Sequence, residues 1–272
     1  MKEIKDIINK VHCANCLEFM REMPDNSIDM ILCDLPYGTT ACKWDTIIPF
    51  EPLWEQYKRI IKDNGAIVLT ASQPFTSALV MSNPEMFKYE WVWEKHKPSN
   101  FALAKKQPMK YHENIIVFYK NQPTYNPQMI ERKSERIKQG QDKDYVGISV
   151  NKGELNSLKT ITRNFKKYNA KTKLPSSVFK INSVQSNSQE KKDGLHPTQK
   201  PVALFEYLIK TYTNEGYLVL DNCAGSGTTG VACKNLNRNY ILIEKEPEYV
   251  KIAEARLNSI SGKQVNIMQF TK

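Results

Sequence analysis

Apolar residues recur along this chain in two alternating rhythms. Short runs rich in apolar and β-branched or aromatic residues stand at 28–33, 66–71, 89–94, 114–119, 217–220 and 240–243, the length and make-up of buried strands. Between them, apolar positions return every three or four residues. Residues 49–62 bring Phe50, Leu53, Trp54, Tyr57, Ile60 and Ile61 to one helical face before Asn64-Gly65. Shorter helices are predicted over 16–23, ended by Pro24-Asp25-Asn26, and over 73–81, with Pro74 in the first turn. Nearer the C-terminus, 202–211, 228–236 and 247–258 read as helices and 265–270 as a last strand. Strands alternating with helices predict an α/β fold built on a mostly parallel, doubly wound sheet.

The rhythm breaks once. Residues 121–195 are rich in Asn, Gln, Ser and Lys, with sparse hydrophobic positions and no period, which reads as a small irregular subdomain or a partly disordered insertion. This divides the chain into 1–120, 121–195 and 196–272. Charge follows the same division. The net charge is +10, and residues 95–200 hold 22 of the 39 basic residues but only 8 of the 29 acidic ones. A localised basic region suits a polyphosphate partner through counterion release, although a solvated lysine-rich surface has the same composition. The stretches 131–138 and 163–173, including Arg163, Lys166 and Lys167, are open to both readings.

Composition excludes several classes. With 40% hydrophobic and 25% charged residues the chain is globular in make-up. Its charged start lacks the apolar core of a signal peptide, and no run reaches the roughly 18 apolar residues of a membrane span; the expectation is a cytoplasmic protein with no membrane partner. Six scattered cysteines are no disulfide framework. Cys13 and Cys16 form a lone Cys-x-x-Cys with no second pair to complete a zinc site, so no metal is expected and the thiols read as buried and reduced.

Two strand exits carry the chemistry. The run 217–220 ends in Asp221-Asn222-Cys223-Ala224-Gly225-Ser226-Gly227, followed by Thr228 and a helix. Its glycines let a ligand approach the backbone, and Glu244, at the end of the next strand, can accept hydrogen bonds from both hydroxyls of a ribose. A dinucleotide-binding fold shares these features. Asp221 tips the balance, because a carboxylate there repels a pyrophosphate and favours a cofactor with a cationic amino acid moiety. S-adenosyl-L-methionine has an ammonium, a sulfonium and no phosphate.

The other exit, after 28–33, is Asp34-Leu35-Pro36-Tyr37. An exocyclic amine on a nucleobase is a poor nucleophile, because its lone pair is delocalised into the ring. A transferase must hold both amino hydrogens so that the nitrogen can pyramidalise. Asp34 offers one acceptor, the Leu35 carbonyl a second, Pro36 fixes the turn and Tyr37 offers a ring face for stacking. Taken alone, Asp-x-Pro-Tyr is also an ordinary strand-to-turn exit. Lys43 and Trp44 follow on a loop that could close over a base or equally be a surface lysine and a packed tryptophan. Tyr111 and His112, ahead of the strand 114–119, read as structural.

With these residues the chain resembles the amino-group DNA methyltransferases that modify N4 of cytosine or N6 of adenine. These carry Asp/Asn/Ser-Pro-Pro-Tyr/Phe and a glycine loop like 221–227. The catalytic motif precedes the cofactor motif here, as in the circularly permuted β group. The resemblance covers about 1–120 and 196–260 and includes His196-Pro197-Thr198-Gln199-Lys200-Pro201, similar to a segment that in the family packs on the methionine part of the cofactor. It departs at Leu35, where most members have proline. The resemblance implies a Rossmann-like fold, a seven-stranded sheet in the order 3-2-1-4-5-7-6 with helices on both faces, and target recognition by 121–195. It further implies cofactor contacts at Asp221, Cys223, Gly225, Gly227, Thr228, Glu244, Thr198 and Lys200, and duplex DNA as partner with the target base flipped out. It is compatible with a homodimer and with a cognate restriction endonuclease. Aspartate at the first motif position points to adenine N6 over cytosine N4; RNA and protein amides are more distant alternatives.

Overall fold

A computed structural model describes residues 2–40, 42, 45–132, 172–184 and 199–260. Its elements in chain order are α1 (Ile4–Ile7), β1 (Lys10–Cys13), α2 (Cys16–Arg21), β2 (Ile28–Cys33), α3 (Phe50–Ile60), β3 (Ile61–Ala71), α4 (Phe75–Ser82), β4 (Phe87–Ser99), a 3₁₀ turn at Phe101–Leu103 and β5 (Lys110–Phe118). There follow β6 (Ile130–Glu131), β7 (Thr172–Lys173), β8 (Val178–Lys180), α5 (Val202–Tyr212), β9 (Leu218–Asp221), α6 (Thr228–Asn235), β10 (Asn239–Glu244) and α7 (Pro247–Ser259). The chain divides into two compact units, one of Met1–Asn126 with Ser177–Lys272, the other of Pro127–Ser176. In the smaller unit the described residues form the two-stranded antiparallel ribbon β6–β7, with Ile130 opposite Lys173.

In the larger unit the strands run in the order β1-β10-β9-β2-β3-β5-β4-β8. All neighbours pair in parallel except β5, which lies antiparallel to both β3 and β4. The first seven reproduce the implied order 3-2-1-4-5-7-6. An eighth, β8, pairs with β4 through Val92↔Val178, so the sheet among the described residues is one strand larger than expected. Three residues are too few to leave a period in a polar stretch. The edge strand β1, also absent from the sequence expectation, has no buried residue in Lys-Val-His-Cys; pairing with β10, rather than its own hydrophobicity, holds it.

Alternation along the strands makes two cores. In β2, Ile31 and Cys33 face one layer with Phe19 and Met20 of α2, Leu53, Trp54 and Tyr57 of α3 and Leu79 of α4. Met30 and Leu32 face the other, with Phe205, Leu208 and Ile209 of α5, Val231 of α6 and Leu257 of α7. A central parallel strand buried on both faces has to be apolar throughout, which is why 28–33 reads as a continuous run.

Helix boundaries fall within two residues of expectation, whereas three strands, β3, β4 and β5, are longer. β3 starts at Ile61 and absorbs Asn64-Gly65, the presumed helix stop, into an irregular stretch where the pairing register with β2 shifts between Ile28 and Met30. A Cβ on Gly65 would lie 2.7 Å from the Ile61 side chain and 3.0 Å from the Asp29 carbonyl, so any larger residue at that bend has to displace Ile61. Tyr111 and His112 lie inside β5 and are exposed, so they are not packing residues. Only Cys33 and Cys233 are buried; Cys13 is exposed and Cys16, Cys42 and Cys223 are half-buried, all of them free thiols. The expected strand 265–270 lies outside the described residues. Among the described residues no helix is long and apolar enough to cross a membrane.

Candidate active site

β2 and β9 are distant in the chain but hydrogen-bonded neighbours, with Ile31 opposite Leu220. The residues that leave their carboxyl ends therefore emerge side by side, where ligands bind on an open α/β sheet. Asp34, Leu35, Pro36 and Tyr37 from one tip and Asp221, Cys223, Gly225 and Thr228 from the other line a single cleft of about 810 Å³, together with Glu244 and Lys200.

At the first tip the Asp34 carboxylate is held from three directions. Oδ1 accepts the Tyr37 hydroxyl at 2.7 Å and a short hydrogen bond from the Thr70 hydroxyl of β3, and Oδ2 accepts Lys200 Nζ at 2.7 Å. Lys200 also lies 3.4 Å from Glu113 Oε2, and Lys95 Nζ bonds Glu113 Oε1 at 3.0 Å. Two acids and two bases thus alternate across the site. Burial alone would lower the Lys200 pKa, but the charges of Asp34 and Glu113 more than offset it and the pKa is raised. Burial pushes Glu113 up, yet Lys200 and Lys95 outweigh it and hold that carboxyl below its ordinary value. Burial, then the nearby Asp34 and Glu113, drive the Tyr37 phenol well above its ordinary value, so it stays protonated and donates.

The turn after Asp34 is fixed by packing. Leu35, where the family motif has proline, is 4% exposed and packs into the core with Leu220 and Ile243; an anchored side chain restrains the turn that a second proline ring would otherwise restrain. Tyr37 stacks on Phe75 with ring centroids 5.0 Å apart and planes at 26°. Asp45 gathers the next residues: its Oδ1 accepts Gly38 N–H at 2.9 Å, and its Oδ2 accepts Thr39 N–H at 2.9 Å and Thr40 N–H at 2.7 Å.

At the second tip Asp221 is 2% exposed. It accepts the Cys223 N–H at 3.1 Å and a short hydrogen bond from Thr229 Oγ1. Burial raises its pKa to about 7, so this carboxyl gains from any cation brought beside it. Glu244 closes β10 and binds the loop back: Oε2 accepts Gly225 N–H at 2.8 Å and Oε1 accepts Glu246 N–H at 2.9 Å. A carboxylate has about four lone-pair sites, leaving two for ribose hydroxyls. Tyr57 of α3 donates to Asn222 Oδ1 at 2.6 Å, and Arg256 of α7 donates to the Ser226 carbonyl at 2.7 Å, so the loop is clamped from both faces of the sheet.

Not every expected residue reaches the cleft in the same way. Gly227 has φ +78°, and a Cβ there would meet Ala253 Cβ at 2.8 Å; it lets α7 pack against the start of α6. Lys200 directs its ammonium onto Asp34, while its carbonyl accepts the Thr228 hydroxyl at 3.4 Å. Thr198, Lys43, Trp44, Arg163, Lys166 and Lys167 lie outside the described residues. Sequence reasoning missed Thr70, Lys95, Glu113, Asp45 and Tyr57. A polar Thr70 inside the apolar run 66–71 was one signal available; Lys95, Glu113 and Tyr57 act through pairings between distant elements, whereas Asp45 acts locally on Gly38, Thr39 and Thr40.

A carboxylate fixed at one strand tip, beside a glycine loop with a buried acid and a ribose-ready glutamate, defines a Rossmann-like transferase for a cationic nucleoside cofactor. The comparisons with known proteins agree. A family model described as DNA methylase matches residues 28–255, and the chain belongs to that family. The type II methyltransferase M.HpaI of Haemophilus parainfluenzae is 28% identical over 259 residues, covering 91% of this chain and 73% of that protein. The crystal structure of an M1.HpyAVI–SAM complex matches with a TM-score of 0.60 and 25% identity, over 92% of this chain and 98% of the other. The PvuII DNA methyltransferase (cytosine-N4-specific) has a TM-score of 0.63 at 18% identity, over 92% and 87%, and shares the fold. The protein is an S-adenosylmethionine-dependent DNA amino-methyltransferase. The buried, proton-retaining Asp221 and the end of Glu244 fit a cofactor with cationic groups and a ribose. When bound, that cofactor supplies an electrophilic methyl on sulfur.

Proposed function

We propose that this enzyme methylates the N6 amino group of adenine at a specific sequence in duplex DNA, with the base flipped out of the stack. An amine buried in a base pair is out of reach of any cleft. Asp34 accepts one amino hydrogen and the Leu35 carbonyl the other. Tyr37 and Thr70 keep the Asp34 carboxylate in one orientation, so alignment and fixed electrostatics supply most of the acceleration. Asp221, Cys223, Gly225, Thr228 and Glu244 hold the cofactor, with Thr198 from the neighbouring segment, whose Lys200 turns its ammonium to Asp34 instead. The observation that carries the reading is a single cleft lined by Asp34 and Asp221, from strand tips paired at Ile31–Leu220. Aspartate at the first position of the motif supports adenine as the target.

The region 121–195 reads the target sequence, and Arg163, Lys166 and Lys167 are its candidate phosphate contacts, with Lys43 and Trp44 near the base. The proposed place of work is the cytoplasm; the type II name of the relative M.HpaI is compatible with a cognate restriction endonuclease, and the family resemblance with a homodimer.

Single-molecule sequencing of DNA from cells expressing the protein tests the substrate. N6-methyladenine at one recurring sequence is expected; N4-methylcytosine there would replace adenine with cytosine, and unmodified DNA would sink the reading. Asp34→Ala is expected to lower methyl transfer roughly a hundred- to a thousandfold, with S-adenosylhomocysteine still bound in calorimetry. Retained transfer would remove Asp34 from the reaction.

A further inference from the structure

Lys200 Nζ lies 2.7 Å from Asp34 Oδ2, 5.6 Å from the centroid of the Tyr37 ring and 3.4 Å from Glu113 Oε2. The first two contacts duplicate what the reaction asks of a target base, an N–H donated to Asp34 and a body resting on Tyr37. The third is a second carboxylate within reach. Glu113 gives its Oε1 to Lys95, and its Oε2 is buried with nothing closer than this ion pair. We propose that Lys200 is a two-station positioning residue: before DNA binds, its ammonium keeps the place of the target amine on Asp34, and Glu113 receives it when the base arrives. The proposal rests on the reading of Asp34 as the acceptor of that amine.

Two physical reasons favour the move. Asp34 Oδ1 already accepts the hydroxyls of Tyr37 and Thr70, so of roughly four lone-pair sites those left to an amine are on Oδ2, and Lys200 takes one of them and crowds the other. Methyl transfer also leaves the acceptor nitrogen cationic, and an ammonium on the same oxygen opposes that charge. Shifting it to Glu113 breaks one charge-assisted hydrogen bond and makes another, so the displacement is nearly balanced. A lysine suits the task because its compact charge rides on a flexible four-carbon stem, whereas an arginine would grip a carboxylate with both arms of its fork.

Glu113→Gln, Lys200→Met, their double variant and Lys200→Arg test this on the full chain, with thermal melting, S-adenosylhomocysteine calorimetry and KM for unmethylated plasmid DNA. Glu113→Gln strands the ammonium on Asp34 and is expected to raise KM for DNA roughly tenfold, the change that one charge-assisted hydrogen bond corresponds to. Lys200→Met is expected not to raise it, and the double variant to match Lys200→Met, because Glu113 acts only through Lys200. Lys200→Arg, which keeps the charge should Glu113→Gln fail to fold, is expected to raise KM with an unchanged melt. The proposal is overturned if Glu113→Gln raises KM equally with Lys200 absent or leaves it unchanged, if Lys200→Arg leaves KM unchanged, or if Lys200→Met weakens S-adenosylhomocysteine binding. Transfer surviving in Asp34→Ala would instead overturn the reading beneath it.

Discussion

Two aspartates stand at neighbouring strand tips, and their surroundings set them different tasks. Asp34 keeps partial exposure, with 23% of its side chain accessible, and lies against a lysine. Asp221 is buried and its pKa is raised to about 7. A carboxyl whose pKa rises from 3.8 on folding favours the folded state while protonated, a contribution present in full below pH 3.8 and lost as pH climbs through 7. A cationic ligand reverses the preference, so binding expels the proton. Calorimetry with S-adenosylhomocysteine is expected to show affinity falling below pH 7 by up to roughly tenfold per pH unit, with proton uptake by the buffer near pH 6. A flat profile, or one that persists in Asp221→Asn, would contradict this role. Asp34, Tyr37 and Asp221 were legible in the sequence because turn chemistry is local. Thr70, which bonds Asp34, and Glu113 and Lys95, which continue the chain of ion pairs from Lys200, were not, because nothing in the chain marks that β3, β4 and β5 bring them together.

At the scale of elements, the cofactor loop shows what a short motif means once it is packed. Gly225 and Gly227 both have positive φ, but for Gly227 the missing side chain also admits α7, whose Ala253 Cβ would stand 2.8 Å from a new methyl. Gly227→Ala combines backbone strain with overpacking and is expected to cost about 2–3 kcal/mol, lowering Tm by roughly 5–10 °C and weakening cofactor binding as α6 and α7 separate. A variant that melts like the parent would show that the loop tolerates a side chain. Central elements such as β2, β9 and α3 were readable because burial on both faces demands a continuous apolar run and burial on one face a period. The edge strands β1 and β8 were not, since an edge strand is held by backbone pairing and leaves no hydrophobic pattern.

At the scale of the molecule, the chain leaves the larger unit after Asn126 and returns to it at Ser177, with Pro127–Ser176 forming its own unit. The larger unit holds both cores and every described residue of the cleft. Replacing 127–176 by a short flexible linker is therefore expected to leave a cooperative thermal transition and S-adenosylhomocysteine binding intact while abolishing sequence-specific methylation. Loss of the transition would mean that the smaller unit helps to hold the fold, and site-specific methylation by the shortened chain would remove target recognition from that segment.

The sequence by itself determined the α/β class, the two strand-exit motifs, their reversed order and the basic break between them, because periodicity, turn residues and charge are properties of neighbours along the chain. Tertiary structure alone decided that Ile31 pairs with Leu220 and so brings Asp34 and Asp221 into one cleft, that Lys200 reaches between Asp34 and Glu113, and that Asp221 retains a proton near neutral pH. Strand neighbourhood and burial depend on how distant segments share a sheet, and a carboxyl's proton affinity follows from the water it loses there.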